Sequence, residues 1–288
     1  MLRKTLTLAF LVAHSYGQTP PPIGMYPMMR FECSQLVIDR VDPLVDPGSI
    51  PSPHLHQIVG GNSFNASMDP ALDLPKTSSC TSCTFSEDFS NYWTAVLYFR
   101  ARNGTYTRVP QFVSDGLQGN GGITVYYIPS MRNETPATAF KPGFRMLVGD
   151  AGVQSPGPDL KVCHRCMPAK GDRTNINCGD PDTKTLPKGF CEGGIRSVIT
   201  FPTCWDGKNT DSPDHKSHIA YRINPQVNDV GPKGTCPASH PVHLPQVMYE
   251  VMWDVSVIVS LFIDCYKPSL LRSSGSFHGF WFIDYGAE

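Results

Sequence analysis

Residues 93–112 read WTAVLYFRARNGTYTRVPQF, two runs of β-branched and aromatic residues on either side of Asn103-Gly104. Asn-Gly supplies the positive φ angles of a two-residue turn, so this stretch predicts an antiparallel hairpin of strands 93–101 and 105–112. Similar short runs recur along the chain, bounded by Gly, Pro, Asn or Asp, which is typical of strands. The further predicted strands are 36–41, 54–60, 122–128, 144–149, 195–201, 218–223 and 247–253.

The remaining patterns indicate turns and loops instead of helices. No stretch of a dozen residues has convincing helical periodicity, and the 27 prolines and 25 glycines indicate many turns. Residues 151–192 are polar and contain four cysteines, which predicts a disulfide-stapled excursion from the sheet. The sequence therefore predicts an all-β fold, an antiparallel β-sandwich or jelly roll with long disulfide-stapled loops.

The amino terminus predicts export. Residues 1–17 combine a basic start, an apolar run and a small-x-small cleavage site, the pattern of a secretory signal peptide. Residues 18–30 are rich in Pro and Met and predict a flexible lead-in. The longest later apolar run, residues 255–263, is too short to cross a membrane. We therefore expect a secreted, extracellular monomer with no membrane partner.

Cysteines, glycosylation sequons and charge agree with that expectation. The ten cysteines, including the two CxxC pairs at 80–83 and 163–166, are interpreted as disulfide-forming because the compartment is oxidising. Asn65, Asn103 and Asn133 begin N-glycosylation sequons. The net charge is −1 and no basic stripe is evident, so nucleic acid is not an expected partner.

His54 and His56 form the first candidate site. Side chains two apart on a strand share a face, so both imidazoles would point the same way. Two neutral nitrogen atoms so placed suit zinc or copper. The alternative is a pair of polar residues on a solvated face, with Leu55 in the core.

The second candidate is the polar loop TCWDGKNTDSPDHKSHIAY at 203–221. Its His215 and His218 could join His54 and His56 around a divalent metal ion. Alternatively, Asp214 could orient a histidine that acts as a general base. A third interpretation is a hydrated loop whose Asp and Ser residues cap the local backbone.

Aromatic residues on or beside predicted strands suggest a glycan site. Exposed rings stack on sugar faces, and polar side chains beside them bind hydroxyl groups. No GxSxG, P-loop, HExxH or GxGxxG motif is present. The sequence therefore does not predict an α/β-hydrolase, a P-loop NTPase, an HExxH metalloprotease or a dinucleotide-binding enzyme. The predicted substrate-binding residues are Asn62, Trp93, Tyr126, Trp205 and Lys208.

Several long sequence motifs in this chain resemble those of a known family. They read HLHQIVGGNSFN (54–65), CTSCTFSEDFSNYWTAVLYFRARNGTY (80–106), GGITVYY (121–127), AFKPGFRMLVGD (139–150), GGIRSVITFPTCWDGKNTDSPDHKSHIAY (193–221) and CPASHPVHLPQVMYEVMWD (236–254). Over about residues 31–254 they resemble the fungal secreted family designated domain of unknown function nineteen-ninety-six. The resemblance implies an extracellular fungal protein and brings no established reaction. Its pattern highlights His54, His56, Gly60, Gly61, Asn62, Trp93, Asp206, Asp214, His215, His218 and His240.

Residues 255–288 depart from that family pattern. One hypothesis is a gene-model artefact in which Val255-Ser256 is the read-through of an intron donor. A natural strand would then be missing from the sheet. Nine of the ten cysteines lie before this segment and only Cys265 makes the number even, so one thiol would then be free or lack its natural partner.

Two functional hypotheses remain open at this stage. The leading one is a carbohydrate-active protein that binds or cleaves cell-wall or plant polysaccharide. A hydrolase would use two carboxylates, and a lyase would use a base such as His215 with a cation such as Lys216. The alternative is a non-catalytic wall-surface or adhesion module whose histidines hold a structural metal or a polar network. The candidate catalytic residues are His54, His56, Asp206, Asp214, His215 and His218.

Overall fold

The computed structural model describes residues 28–101, 103–129, 135–149, 162–169, 178–187, 190–223, 234–257, 271–273 and 281–285. The predicted signal peptide, nearly all of the predicted lead-in, Asn133, Cys265 and most of residues 255–288 lie outside these ranges.

Strands dominate the described residues, and α1 (Leu74–Thr77) is a single helical turn. The strands are β1 (Met29–Cys33), β2 (Val37–Asp39), β3 (His56–Gly60), β4 (Asn91–Ala95), β5 (Leu97–Arg100), β6 (Tyr106–Arg108), β7 (Gln111–Phe112), β8 (Ile123–Ile128), β9 (Phe144–Val148), β10 (Val162–Cys166), β11 (Ile195–Thr200), β12 (Cys204–Trp205), β13 (Ile219–Ala220), β14 (Val242–His243), β15 (Gln246–Trp253), β16 (Leu271–Ser273) and β17 (Trp281–Tyr285).

Two antiparallel sheets face each other across the main core. The larger sheet has the order β1-β8-β15-β11-β10, with β7 also paired to β15, and the smaller has the order β2-β3-β4-β17-β9. Their inner side chains form one buried cluster, in which Tyr92 of β4 meets Tyr249 of β15 edge to face at 5.7 Å. The predicted all-β fold, an antiparallel β-sandwich, is confirmed.

The predicted hairpin forms, but its turn is longer than expected. β5 pairs with β6, and the Ala101 N–H donates to the Thr105 carbonyl at 2.8 Å, so three positions separate this last pair. Gly104 takes a positive φ of 87°. The prediction of a two-residue turn is therefore wrong. The predicted strand 105–112 also breaks at Pro110, which has no N–H for a ladder hydrogen bond.

Six described strands form where the sequence predicted none, and two of them, β1 and β10, belong to the larger sheet. β1 begins at Met29, inside the predicted lead-in, because Met29 pairs with Tyr127 of β8. β10 lies inside the predicted excursion and pairs with β11 along its whole length. Both strands depend on a neighbouring strand that is distant in sequence, so their own residue patterns are weak.

The carboxy-terminal residues contribute strands to two sheets. β16 pairs with β5, and β17 lies between β4 and β9 of the smaller sheet. Without β17, β4 and β9 would both lose the strand with which each of them pairs. The gene-model hypothesis for residues 255–288 stays a prediction.

Gly60 marks a close approach between two segments. Its φ is 107°, and a Cβ atom there would lie 1.8 Å from the Ser90 carbonyl oxygen. A side chain at this position would push apart β3 and the turn that leads into β4. The glycine of the HLHQIVGG motif therefore has a packing role.

Four disulfides hold the described loops. They join Cys33 to Cys83, Cys163 to Cys178, Cys166 to Cys191 and Cys204 to Cys236. Neither CxxC pair bonds internally, and the exposed Cys80 bonds to none of the described cysteines. Among the described helices, none has the length and apolar composition of a membrane-spanning segment.

Candidate functional site: an aromatic pocket beside the sandwich

The predicted polar loop folds against the outer edge of β9. The Arg145 N–H donates to the Thr210 carbonyl at 2.9 Å, and the Leu147 N–H donates to the His215 carbonyl at 3.1 Å. The Lys216 ammonium donates to the Gly149 carbonyl at 2.6 Å. The loop therefore satisfies backbone groups that an edge strand would otherwise leave open.

Asp214 organises this loop through its own hydrogen bonds. Its Oδ1 accepts from the backbone N–H groups of Lys216 and Ser217 and from the hydroxyl groups of Ser212 and Ser217, at 2.8–3.1 Å. These bonds, the Ser217 N–H first among them, hold the pKa of Asp214 well below its usual range. A carboxyl group held ionised in this way is unsuited to be the general acid of a hydrolase.

Asp206 caps the preceding turn in the same manner. Its Oδ1 accepts from the N–H groups of Lys208 and Asn209, and its Oδ2 accepts from the Asn209 amide. Burial acts to raise the pKa of Asp206, but the hydrogen bonds from Lys208 and Asn209 outweigh it, and the pKa is lowered. The geometry thus supports the capping interpretation of these aspartates, which the sequence had left as an alternative.

His218 is a structural histidine. It is buried, its Nε2 donates to the Arg145 carbonyl at 2.8 Å, and its Nδ1 lies 2.8 Å from the Ser212 hydroxyl. Burial lowers the pKa of His218, against the effect of the Arg145 carbonyl and nearby aspartates. Both ring nitrogens have protein partners, so neither is available to a metal ion.

His215 is half-buried, and its Nδ1 lies 2.7 Å from a carboxylate oxygen of Asp211. Its φ is 54°, and among the described residues it is the only non-glycine residue with a positive φ. The hydrogen bond from Leu147 to its carbonyl helps to hold this sparsely populated conformation.

The strand order keeps the four predicted metal ligands apart. His56 lies on β3, whereas the loop with His215 and His218 packs against the outer edge of β9. The order β3-β4-β17-β9 puts three strand spacings, about 14 Å, between β3 and β9. The His54 and His56 rings are 6.4 Å apart, but His56 is buried with its Nδ1 at 2.9 Å from the Val41 carbonyl. No group of three or more His, Cys, Asp or Glu residues in the described ranges could hold a metal ion. The structure therefore does not bring His54, His56, His215 and His218 together as one metal site.

Three aromatic residues predicted to stack on sugars are core residues. Trp93 is 1% exposed, Tyr126 is 2% exposed and Trp205 is 6% exposed. Trp93 packs edge to face on Phe64, and Trp205 packs on Phe144. A buried ring has no free face for a ligand, so none of the three rings offers a stacking surface in this structure.

The remaining predicted residues lie at the surface. Asn62 is exposed and caps a turn, since its Oδ1 accepts from the Ser79 and Cys80 N–H groups. Lys208 is exposed on the Asp206 turn. Asn65 and Asn103 are exposed, as glycosylation requires, while Asn133 lies outside the described residues.

A surface pocket lies elsewhere, beside the edge of the larger sheet. It has a volume of about 250 Å³ and is walled by five aromatic rings. Phe31 of β1 and Tyr127 of β8 stack at 6.2 Å, and Phe85 approaches Phe31 at 5.6 Å. The full lining is Met29, Phe31, Leu74, Pro75, Phe85, Glu87, Asp88, Phe89, Ser90, Tyr127, Phe140, Lys141 and Pro142.

A hydrogen-bonded acid lies at the base of this pocket. The Tyr92 hydroxyl donates to Asp88, so the Tyr127 hydroxyl, 2.7 Å away, donates to the Tyr92 oxygen. Burial raises the pKa of Asp88, although hydrogen bonds from Tyr92 and Ser90 oppose the rise. The pocket thus combines apolar walls with a polar base, the usual composition of a small-ligand site.

Sequence reasoning missed this pocket. The only local signal is FSEDF at 85–89, an acidic pair between two phenylalanines. The Cys33–Cys83 disulfide fixes the start of that loop against β1, and Phe140 comes from a third segment. With residues 74–75 and Tyr127, the lining comes from five separate segments, so the site exists only after they have met.

Comparison with known proteins gives a family and no more. A family described as "Domain of unknown function (DUF1996)" matches residues 42–284. This chain belongs to that family. No curated protein and no solved structure matches it. The DUF1996 match runs past residue 254 into β17 and includes all the pocket residues except Met29 and Phe31. The fungal and extracellular character that the resemblance implied stays a prediction.

Proposed function

We propose that this DUF1996 protein is a secreted carbohydrate-binding protein whose binding site is the aromatic pocket. The observation that carries the proposal is the pocket's composition: five aromatic rings surround a cavity whose base holds Asp88 and the Tyr127 hydroxyl. Sugars have apolar C–H faces that stack on aromatic rings, and hydroxyl groups that bind carboxyl and phenol groups.

The size and charge of the pocket favour a neutral sugar. Its volume of about 250 Å³ is just below the ~300–1,000 Å³ typical of drug-sized ligand sites, which suits one or two sugar rings. Glu87 and Lys141 have opposite formal charges, and Asp88 is the carboxyl group whose pKa burial raises. The formal charges of the lining therefore sum to no more than one negative charge, which offers an anionic ligand no attraction.

The test is binding to a panel of neutral cell-wall polysaccharides and their oligosaccharides, measured by calorimetry. Phe85 is 39% exposed at the pocket rim, so Phe85→Ala removes a stacking surface. We expect an affinity loss of about three- to tenfold. Phe190 is 48% exposed and is not part of the pocket, so Phe190→Ala is the matched control and should bind as the wild type does. Absence of binding across the panel, or equal losses in both variants, would contradict the proposal.

Glycan cleavage is a second candidate, favoured by one feature of the same pocket. Asp88 has a raised pKa and neighbours the exposed Glu87, and a glycosidase needs one protonated carboxyl group and one carboxylate. Asp88→Asn would then abolish release of reducing ends while the glycan still binds. If the wild type binds the glycan but releases no reducing ends, the cleavage hypothesis is contradicted and only the binding function remains.

A further inference from the structure

The outer face of the β5–β6 hairpin carries an alternating set of aromatic and basic side chains. Tyr98 lies opposite Arg108, and Arg100 lies opposite Tyr106. Because side chains alternate along a strand, these four residues share one face, here called the Tyr–Arg face. The other face of β5 carries Leu97 and Phe99, both fully buried in the main core.

The Tyr–Arg face is open to solvent. Tyr106 is 55% exposed, Arg100 and Arg108 are exposed, and Tyr98 is half-buried. The two tyrosine rings meet at 6.5 Å with an interplanar angle of 78°, and the Arg100 guanidinium lies 6.0 Å from the Tyr106 ring centroid. No acidic residue belongs to this set, so the face is basic although the whole chain has a net charge of −1.

We propose that the Tyr–Arg face binds an acidic polysaccharide, a chain of sugar rings that carry carboxylate groups. A uronate residue has an apolar ring face and a carboxylate on the same ring. Each tyrosine of the Tyr–Arg face offers a stacking surface, and the arginine opposite it offers a planar donor fork for a carboxylate. The Tyr–Arg face therefore contains two pairs, Tyr98 with Arg108 and Tyr106 with Arg100. Each pair supplies one ring that can stack on a sugar and one guanidinium group that can bind its carboxylate.

The charge of the Tyr–Arg face and the spacing of its aromatic rings indicate that its ligand is an acidic polysaccharide. A neutral glycan would leave both guanidinium groups unused. A nucleic acid also has rings and anions, but its binding sites neutralise several phosphates, whereas β5 and β6 contribute two arginines to this face. The face is built from β5 and β6, which contribute nothing to the aromatic pocket, so this inference does not depend on the proposed function.

The experiment uses the full chain and polygalacturonate, with an uncharged polysaccharide of similar length as reference, in affinity electrophoresis. Arg100→Ala and Arg108→Ala should each weaken polygalacturonate binding about two- to fivefold, the usual strength of an exposed ion pair. Tyr106→Ala should weaken it about three- to tenfold. Lys184→Ala removes one exposed positive charge elsewhere and should leave binding unchanged.

A salt series and one further variant complete the test. Binding should weaken between ~0.01 M and ~1 M salt, because the Debye length falls from about 30 Å to about 3 Å. Phe85→Ala, which alters the pocket, should leave polygalacturonate binding unchanged, so failure of this proposal and failure of the pocket's function are distinguishable. Unchanged melting temperatures would show that the variants are folded. Absence of polygalacturonate binding by the wild type would overturn the proposal, as would equal losses in the Lys184 control or tighter binding of a single-stranded oligonucleotide through the same residues.

Discussion

Glu32 shows what burial does to a single ionisable residue. It lies on β1 with 2% of its surface exposed, and its Oε2 accepts from the Thr124 hydroxyl at 2.6 Å. Thr124 of β8 lies opposite Glu32 on one side and Glu250 of β15 on the other, so a second carboxylate is close. Burial raises the pKa of Glu32 to about 7, although Thr124 and Arg30 favour its charged form.

This pKa predicts a pH-dependent stability. The ordinary value of the Glu32 carboxyl is 4.5 and the folded value is about 7, so between these values the folded protein binds more protons than the unfolded chain. The contribution is fully present below pH 4.5 and is lost as the pH rises through 7. It amounts to about 3 kcal/mol of unfolding free energy.

Glu32→Gln isolates this effect from the other titrating groups. The variant should be more stable than the wild type at pH 8 and of similar stability at pH 4.5, because glutamine stays neutral throughout. Urea unfolding of both proteins at a series of pH values measures the difference, and contributions from His56 and His218 cancel in it. Parallel pH profiles for the two proteins would show that Glu32 keeps its ordinary pKa.

At the scale of elements, β9 and the polar loop form one unit. β9 is an edge strand of the smaller sheet, and the loop supplies hydrogen-bond acceptors to its Arg145 and Leu147 N–H groups. Asp214 in turn gathers Ser212, Lys216 and Ser217 around one carboxylate oxygen. The density of ionisable residues in this loop is therefore explained by edge protection and capping.

Removing the Asp214 carboxylate should loosen that unit. Asp214→Ala is expected to cost about 1 kcal/mol of unfolding free energy, the usual cost of losing a side chain that caps backbone N–H groups. Because the loop would release β9, hydrogen exchange at the Leu147 amide should also accelerate. Asp214→Asn keeps an oxygen acceptor and should retain most of the protection. Equal rates of hydrogen exchange at Leu147 in the wild type and the alanine variant would show that Asp214 does not hold the loop against β9.

At the scale of the whole molecule, disulfides connect the sandwich to its loops. Cys33–Cys83 joins β1 to the loop that carries Phe85 and Asp88, so it also sets one wall of the aromatic pocket. Cys204–Cys236 lies away from the pocket, where it closes a loop that contains β13. The separations along the chain are 50 and 32 residues, so both bonds restrict the unfolded chain to a similar extent.

The two disulfides can be distinguished by their removal. The double variants Cys33→Ser/Cys83→Ser and Cys204→Ser/Cys236→Ser should each lose about 4 kcal/mol of unfolding free energy, from the loop-closure entropy of the unfolded chain. Only the first should also weaken glycan binding, because only it anchors the pocket wall. Denaturant unfolding and calorimetry measure the two effects. Equal loss of binding in both variants would mean that the pocket responds to general destabilisation.

The sequence by itself determined the local features of this protein. Alternating apolar residues and turn signals located most of the strands, because side-chain period and backbone preference depend on neighbouring residues. The even number of cysteines and the predicted export likewise predicted disulfides without their pairing. Only the tertiary structure decided which strands are neighbours, since strand order depends on burial between distant segments. That order keeps His56 apart from His218, buries Trp93 in the core, and brings Phe31, Phe85 and Phe140 together in a pocket.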